Sequence, residues 1–443
     1  MRLATSFLAC LSSAWLLAAH PSPAPDSFPR ALPGSWFHPE DHPLHALFRR
    51  QSSPNASFAP VGSTQWSARF PPGKADSSKM PQAWKDALAA AVQSGKIPAN
   101  IPVSKQASSG ANPTYAGFAH PEQPPVCSGT YQCRLPGQIW DAPNGSIGIS
   151  FDDGPLPPSD GLYAFLQQNN IPSTHFYIGT NILQYPNEFK LAFDTLHSDI
   201  AVHTWTHPYM TTFSNDDVVA ELGYTLQLIY NSTGGRLARY WRPPYGDTDA
   251  RVSAIASSVF GLTTVLWNQD TNDWSLGESG GTNAGAIAAN FQKWLSGSKS
   301  PGLIVLEHEL SNGSVNAFKA AYPVIKANNW TVNSVAQLQG LGSYQNAQDS
   351  SSPVLTVSAI TAGGNGATEL ASATAALASA SSASAASVSP GNANSKASSS
   401  APSPSSSVVG ASNNNSNAAL RLAVGDAPWM LFFASIASLL AIV

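Results

Sequence analysis

The chain has 443 residues, of which 11% are charged, and its formal net charge at pH 7 is -4. Such a charge distribution provides neither a basic surface for nucleic acid nor an acidic tail. We therefore expect no nucleic-acid partner.

The amino terminus has the plan of a secretory signal peptide. A single early arginine precedes the mostly apolar run Leu3 to Leu17, and two alanines follow that run. A short apolar run with small residues at its end favours a signal over the alternative of an apolar core helix. We expect residues 1–19, including Cys10, to be absent from the mature chain.

The next segment, residues 20–116, is rich in Pro, Ser, His and Ala. Only Pro81 to Val92 has a helical pattern within it. This composition predicts a propeptide or an extended leader.

Residues 117–143 form a lead-in to the central part of the chain and carry Cys127 and Cys133. These cysteines remain once the signal is removed, and export makes a disulfide their natural state. A metal site built on two cysteines is the less favoured alternative, because no nearby histidine completes it.

Residues 144–342 differ from both flanks, because short β-rich runs alternate there with amphipathic segments. Strands are predicted at Ser146–Phe151, Thr174–Ile178, Ile200–Thr204, Tyr240–Arg242, Thr263–Trp267, Leu303–Leu306 and Trp330–Val335. Helices are predicted at Ser159–Gln168, Asn187–His197, Asn215–Tyr230, Asp249–Ser258, Ala284–Leu295 and Val315–Ala327. Such alternation predicts an α/β fold, namely an irregular (β/α) barrel of about seven units with disordered flanks. An open, doubly wound sheet is the alternative.

Residues 343–417 are dominated by Ser and Ala, a composition that buries too little apolar surface to fold, and we predict an O-glycosylated stalk. Residues 418–443 end in an apolar run that extends to the last residue, and this run is shorter than the roughly 20 residues of a membrane span. They fit the signal for a glycosylphosphatidylinositol anchor attached at Asn417, with Ser416 and Asn415 as alternative sites. A tail-anchored membrane protein is the other interpretation.

Sequons of the form Asn-x-Ser/Thr recur along the chain, and in an exported eukaryotic protein they are expected glycan sites. They lie at Asn55, Asn144, Asn231, Asn312, Asn329 and Asn414. Together with the signal and the anchor, they predict a secreted protein held at the outer face of the plasma membrane or in the cell wall.

Unusual polar residues follow the predicted strands, at the rim where a β/α barrel places its active site. Asp152 and Asp153 come directly after the first predicted strand, and Gly154 and Pro155 then turn the chain away. Adjacent carboxylates on an extended chain point in different directions, so one is available for a metal and the other for a proton. For this motif alone, a solvated turn is the alternative.

A later strand is followed by His203 and His207, whose spacing lets both imidazoles converge on one cation if the segment turns. With Asp153 they form a set that leaves positions open for water and substrate and suits Zn(II) or Co(II). We therefore predict a catalytic site for one divalent metal ion. Two unrelated surface histidines are the alternative for this motif alone.

Three further motifs follow other strands. Two prolines come after Arg242 and lack N–H groups, so the rigidly held N–H of Tyr245 is a candidate to stabilise an oxyanion. The loop Asp270 to Trp274 brings acidic groups and an aromatic ring able to stack on a sugar. Leu306 ends a strand ahead of His308, a histidine suited to general-acid catalysis. The alternatives are, respectively, a structural turn, a solvated loop and a solvated histidine between two glutamates.

In this order, the five motifs resemble those of the polysaccharide deacetylase domain of the fourth carbohydrate esterase family, in particular its fungal chitin deacetylases. The resemblance covers about Gly145 to Leu341, less than half of the chain. Ser150 departs from the threonine that is common in the family, and the change is conservative.

The resemblance implies a role for each matching residue. Asp152 is the implied general base and also contacts the acetyl group, Arg242 orients that base, and His308 is the implied general acid. The implied metal ligands are Asp153, His203 and His207.

Other matching positions are implied to bind the substrate or tune the acid. The N–H of Tyr245 binds the acetyl oxygen, and Leu306 lines the pocket for the acetyl methyl group. Either Asp270 or Asp273 raises the pKa of His308. Trp274 adds the aromatic surface for a sugar ring.

The activity implied is the metal-dependent hydrolysis of N-acetyl groups in chitin, which gives chitosan and acetate during cell wall biogenesis. The expected partners are chitin polymer or oligomers, other cell wall polysaccharide and, through the anchor, the membrane. One alternative is deacetylation of another polymer, such as acetylxylan or peptidoglycan. A second alternative is a glycosylated wall protein whose domain is catalytically inactive.

Overall fold

The structure, a computed structural model, describes residues 58–354. Its strands are β1 (Ser146–Asp152), β2 (Thr174–Tyr177), β3 (Asp199–Val202), β4 (Tyr240–Trp241), β5 (Thr263–Thr264), β6 (Gln269–Asp270), β7 (Leu303–Leu306) and β8 (Thr331–Ser334). Its α-helices are α1 (Thr64–Ser67), α2 (Gln82–Gln93), α3 (Ser159–Asn169), α4 (Gly179–Gln184), α5 (Pro186–Lys190), α6 (Asn215–Ser232), α7 (Ala250–Phe260), α8 (Ala284–Leu295) and α9 (Asn312–Ala327). The predicted signal, anchor site Asn417 and sequons Asn55 and Asn414 lie outside the described residues.

The strands pair in parallel in the order β5-β4-β3-β2-β1-β7-β6, and β8 pairs with β1. The sheet curls into a half-barrel with helices around it, which confirms the predicted α/β fold. Each predicted strand is present, with ends that differ by a few residues. Strand β6 lies where the sequence predicts a loop, because two residues are too few to show a strand pattern.

Alternate residues of a strand point to opposite faces of the sheet. Phe176 and Ala201 belong to an apolar cluster enclosed by the curl, whereas their neighbours Tyr177 and Val202 pack in the core beneath the helices. With both faces buried, the carboxyl ends of the strands are left for polar side chains.

The segment before the disulfide is folded onto this core from residue 58 onward. Trp66 and Trp84 are buried within the main core, and the ring of Trp84 packs edge-on against Tyr224 of α6 and Phe260 of α7. This packing differs from the extended leader that the composition favoured, because a few large aromatic residues supply the apolar surface that the average composition lacks. Removal of the segment as a propeptide stays a prediction.

Residues 343–354, where the composition predicts the start of the stalk, are also folded. Tyr344 is fully buried, and its hydroxyl accepts a hydrogen bond from the Ile200 N–H at 3.1 Å. The N–H of Gln345 donates to the Leu237 carbonyl at 2.7 Å. The folded domain therefore continues past the predicted boundary at residue 342.

Cys127 and Cys133 are joined in a disulfide, with their Cα atoms 5.0 Å apart. Within the small loop that it closes, the Gly129 N–H donates to the Thr248 carbonyl at 2.7 Å. The disulfide loop is thereby fixed against the chain just past Tyr245.

Four predicted sequons fall within residues 58–354. The asparagines of three are exposed, and that of the fourth is partly buried; they are Asn144, Asn312 and Asn329, and Asn231, respectively. Over the same residues, no helix has both the length and the apolar character needed to cross a membrane.

Candidate active site

The predicted site residues lie at the carboxyl ends of neighbouring strands. Strands β3 and β4 are in register at their last residues, so His203 comes to lie beside Arg242. Strands β6 and β7 likewise end together, and Asp152 is bridged to His308. Residues that are distant in the sequence therefore meet at one rim of the half-barrel.

Asp153, His203 and His207 converge on one point. Oδ1 of Asp153 lies 3.3 Å from Nε2 of His203 and 3.2 Å from Nε2 of His207. Two ligands of a tetrahedral Zn(II) ion, each about 2.0 to 2.1 Å from it, are about 3.3 to 3.4 Å apart. Oδ1 of Asp153 is buried and has no hydrogen-bond partner among residues 58–354. The three side chains therefore fit a divalent cation.

The two imidazole rings are oriented by groups outside this cluster. Nδ1 of His203 lies 2.7 Å from the Arg242 carbonyl oxygen. A carbonyl only accepts hydrogen bonds, so Nδ1 carries the proton and the lone pair of Nε2 faces the cluster. Nδ1 of His207 lies 3.1 Å from the Tyr245 hydroxyl, which leaves Nε2 of this ring for the cation as well.

The backbone at two of the candidate ligands, and at Thr204 beside the third, is held in an uncommon conformation. Asp153, Thr204 and His207 have φ angles of 73°, 66° and 61°, in the left-handed region that residues with a Cβ rarely adopt. Burial by itself would raise the pKa of Asp153, but the neighbouring His207 and His203 hold it well below its ordinary value. The Asp153 carboxylate is therefore ionised and available as a ligand.

Asp152 stands beside the cluster and is paired with Arg242. Nη1 of Arg242 donates to Asp152 Oδ1 at 2.6 Å and to Ser150 Oγ at 3.0 Å. The guanidinium is fully buried and lies 4.1 Å from the ring centroid of Phe176. The second carboxylate oxygen of Asp152, Oδ2, lies 3.9 Å from Nε2 of His203. One oxygen of Asp152 is thus fixed, and the other faces the cluster.

Asp273 contacts His308 through both of its carboxylate oxygens. Nδ1 of His308 lies 2.6 Å from Asp273 Oδ1, and its backbone N–H donates to Oδ2 at 2.9 Å. Burial alone would lower the pKa of His308, but Asp273, with smaller contributions from Asp153 and Asp152, raises the pKa to about 10. Of the two aspartates that the sequence left open, Asp273 is the one that contacts this histidine. His308, Glu307 and Glu309 are all buried, so the alternative of a solvated histidine is wrong.

The other predicted residues surround this centre. Asp270 is partly buried, and its Oδ1 accepts a hydrogen bond from the Asn272 N–H at 2.8 Å. Leu306 is buried, whereas Trp274 is 47% exposed and Tyr245 is 50% exposed. The two exposed rings are therefore available to a ligand at the rim.

Two residues near the segment from His203 to His207, which we call the histidine loop, were missed by sequence reasoning. Glu221 of α6 is buried and accepts hydrogen bonds from the backbone N–H groups of Trp205 and Thr206, both at 2.8 Å. The ring of Tyr209 stacks on that of Tyr245 with centroids 4.0 Å apart. Glu221 had no sequence signal, since an acidic residue in an amphipathic helix ordinarily faces solvent; Tyr209 lies only two residues beyond His207.

A parallel sheet with two histidines and an aspartate at its rim, flanked by a second carboxylate and a third histidine, is the arrangement of a hydrolase with a candidate metal site. Residues 141–265 match the family described as Polysaccharide deacetylase. Over 336 residues the chain is 40% identical to Chitin deacetylase 3 of Cryptococcus neoformans, which covers 74% of this chain and 78% of that protein. The chain therefore belongs to the polysaccharide deacetylase family and is a hydrolase, as the five motifs predicted.

Other similar proteins cover less of the chain. Chitin deacetylase of Amylomyces rouxii is 41% identical over 170 residues, covering 37% of this chain and 39% of that protein. Among solved structures, the chitin deacetylase from Colletotrichum lindemuthianum is 22% identical with a TM-score of 0.41, covering 45% of this chain and 90% of that chain. The family 4 carbohydrate esterase from Streptomyces lividans is 27% identical with a TM-score of 0.39, covering 46% and 97%.

Proposed function

We propose that the protein is a chitin deacetylase that uses one divalent cation, Zn(II) or Co(II), and that it releases acetate from the N-acetylglucosamine residues of chitin to leave chitosan. The observation that carries the proposal is the position of Asp152 and His308 on the rim that holds the Asp153, His203 and His207 cluster. Amide hydrolysis needs a polarised carbonyl, a base and an acid, and this rim provides a group for each. The name of the Cryptococcus neoformans relative supports chitin as the polymer.

Asp153, His203 and His207 would hold the cation. When bound there, it supplies positive charge that polarises the acetyl carbonyl and lowers the pKa of a water molecule. The Arg242 carbonyl and the Tyr245 hydroxyl keep both histidine rings turned toward the cluster. A set of two imidazoles and one carboxylate suits Zn(II) and Co(II) better than Ca(II) or Mg(II), which prefer oxygen ligands.

Asp152 is the base. Its Oδ1 is held by Arg242 while Oδ2 faces the cluster, so Oδ2 takes a proton from the water that attacks the acetyl carbonyl. The N–H of Tyr245 donates to the carbonyl oxygen as negative charge develops there, a contribution of about 3 to 4 kcal/mol for a well-placed donor.

His308 is the acid. Asp273 keeps its imidazole protonated, and the proton passes to the amine nitrogen as the carbon–nitrogen bond breaks. The products are glucosamine in the polymer and free acetate. Leu306 supplies the apolar contact for the acetyl methyl group, and the exposed ring of Trp274 stacks on a sugar.

We also propose that the enzyme works outside the cell, in cell wall biogenesis. The predicted signal peptide, the sequons, the predicted stalk and the predicted glycosylphosphatidylinositol site at Asn417 support this location. A tethered enzyme would reach the wall polymer from the outer face of the plasma membrane.

The test is acetate release from chitin oligomers by the purified full chain, before and after removal of metal with a chelator, and then with Zn(II) or Co(II) added back. We expect chelation to abolish release and either metal to restore it. A variant with Asp152→Asn, prepared in parallel, separates enzyme activity from contaminating hydrolases.

Each outcome has a distinct meaning. Release from acetylxylan or peptidoglycan fragments but not from chitin would keep the mechanism and replace the substrate. Release that is insensitive to chelation would refute the role of the cation. No release from any of the three polymers would refute the enzymatic function and favour a structural wall protein.

A further inference from the structure

The loop that carries two of the cation ligands is held in a conformation that it would not adopt alone. His203 and His207 are its ends, and Thr204 and His207 both have left-handed φ angles, 66° and 61°. Such angles persist in residues with a Cβ only where the surroundings fix them. The contacts of this loop therefore decide whether the two imidazoles face the same point.

The centre of the loop, Trp205, is anchored on two sides. Its side chain is fully buried, and it fills the space beside Gly179 so closely that a Cβ there would lie 2.2 Å from the indole ring. From the helix side, Glu221 accepts the backbone N–H of Trp205 and that of Thr206. The indole also lies beside the ring of Tyr224 on α6, with centroids 5.9 Å apart, and its other contacts come from a part of the chain that precedes the disulfide.

The ring of Phe70 stacks on the Trp205 ring with centroids 5.9 Å apart and an angle of 22° between the planes. The Trp205 indole N–H donates to the carbonyl oxygen of Gly73 at 2.7 Å. Because the Trp205 side chain is fully buried, this bond satisfies a donor that would otherwise be unpaired in the interior. We call the residues from Phe70 to Gly73 the clamp.

The clamp is tied to the folded domain on both sides. On its amino-terminal side the Trp66 indole N–H donates to Ser232 Oγ at 2.9 Å. On its carboxyl-terminal side Ser77 Oγ donates to Asp217 Oδ1 at 2.7 Å. A further contact reaches the chain just past the histidine loop, since the Ser104 N–H donates to the Thr211 carbonyl at 2.9 Å.

From this arrangement we propose that the clamp is a positioning element of the cation site: it holds Trp205 and thereby keeps His203 and His207 in their ligand conformation. The clamp lies outside residues 141–265, the part of the chain that matches the family. The segment 58–116 is then a permanent part of the working enzyme, and cleavage that separates it inactivates the protein. The inference rests on the proposed function only in that the cluster binds a cation.

The test measures the affinity of the full chain for Zn(II) by competition with a chromophoric chelator, together with thermal unfolding of the metal-free protein. Phe70→Ala removes the stacked ring. Phe58→Ala is the matched control, because Phe58 belongs to the same segment but packs edge-on against Tyr230. We expect Phe70→Ala to weaken Zn(II) binding roughly tenfold, the lower range for loss of a group that orients a ligand, and Phe58→Ala to leave it unchanged.

Affinity equal to wild type in Phe70→Ala, or an equal loss in both variants, would overturn the proposal. If Phe70→Ala fails to fold, Trp205→Phe decides, because it keeps a ring for Phe70 and removes the donor to Gly73; wild-type affinity in that variant would likewise overturn it. Failure of the wild-type chain to bind Zn(II) at all would instead refute the proposed function. The two hypotheses are therefore tested by different measurements on the same preparations.

Discussion

Asp273→Asn tests the assignment of His308 as the acid, because it removes a negative charge while keeping the size of the side chain. Asp273 contacts both Nδ1 and the backbone N–H of His308. Burial alone would lower the pKa of His308 below its ordinary 6.5; Asp273 is the largest influence in the opposite direction, and together with Asp153 and Asp152 it raises the pKa to about 10. Without the charge of Asp273 we expect the pKa to fall by up to roughly three pH units, which corresponds to at most roughly 4 kcal/mol.

The direction of the effect on activity follows from the role of His308. An acid must carry its proton, so its pKa sets the alkaline limb of kcat/KM against pH, and a lower pKa moves that limb to lower pH. The assay is acetate release from chitin oligomers by Zn(II)-loaded wild type and variant across the pH range. A cation at the cluster lowers the pKa of His308 in both proteins, so the compared quantity is the difference between them.

The same shift affects stability. Because the pKa of His308 is raised in the folded protein, its stabilising contribution is complete below pH 6.5 and is lost as the pH rises through about 10.

Asp270→Asn is the matched control for the activity assay, since Oδ1 of Asp270 accepts a hydrogen bond from Asn272. We expect a smaller displacement of the alkaline limb in this variant. An unmoved limb in Asp273→Asn, or equal displacement in both variants, would refute the reasoning.

Three further substitutions test separate parts of the structure. Asp153→Asn should abolish tight Zn(II) binding in a calorimetric titration, because the amide is uncharged; unchanged affinity would contradict the ligand set. Asp152→Asn should keep the metal but lower kcat for acetate release by about 10²- to 10⁴-fold, and a normal kcat would exclude it as the base. Trp84→Ala should lower the free energy of unfolding in urea by about 3 to 5 kcal/mol, because the buried ring leaves a cavity; an unchanged midpoint would show that the segment is only loosely docked.

The strands and the positions of the polar motifs could be predicted from the sequence. Residues 303–306 are a continuous apolar run, which is typical of a strand buried on both faces, and the structure gives the same bounds for β7. Each parallel strand ends at the same rim, so residues such as Asp152, Arg242 and His308 were expected together once the strands were placed. Knowing which residues come directly after each strand was sufficient to predict this, because the carboxyl ends of parallel strands lie at the same edge of the sheet.

The pairings within the rim could not be predicted in the same way. Asp270 is the last residue of β6 and Asp273 lies three residues further on, and only the turn from Thr271 to Asp273 decides which carboxylate reaches His308. In that turn Thr271 Oγ1 donates to the Leu306 carbonyl at 2.9 Å, and Asn272 has a left-handed φ of 54°. These are consequences of the folded loop and have no periodic signal.

The amino-acid composition of residues 58–116 also did not predict that this segment is folded. Pro, Ser and Ala dominate its average, but burial depends on a few large side chains such as Trp66, Phe70 and Trp84. Each of them packs on residues more than 100 positions away, on α6, on α7 or on the histidine loop. A contact of that kind becomes visible only when both partners are folded.

The rim concentrates several carboxylates in a small volume, and the structure gives each of them a different partner. Asp152 is paired with Arg242, Asp153 with the two imidazoles, and Asp273 with His308. Like charges that share a buried site repel one another unless each is compensated, so one carboxyl would otherwise take up a proton. Because each carboxylate has a partner of its own, the proposed base, ligand and acid stand side by side at one rim, as the hydrolysis of an amide requires.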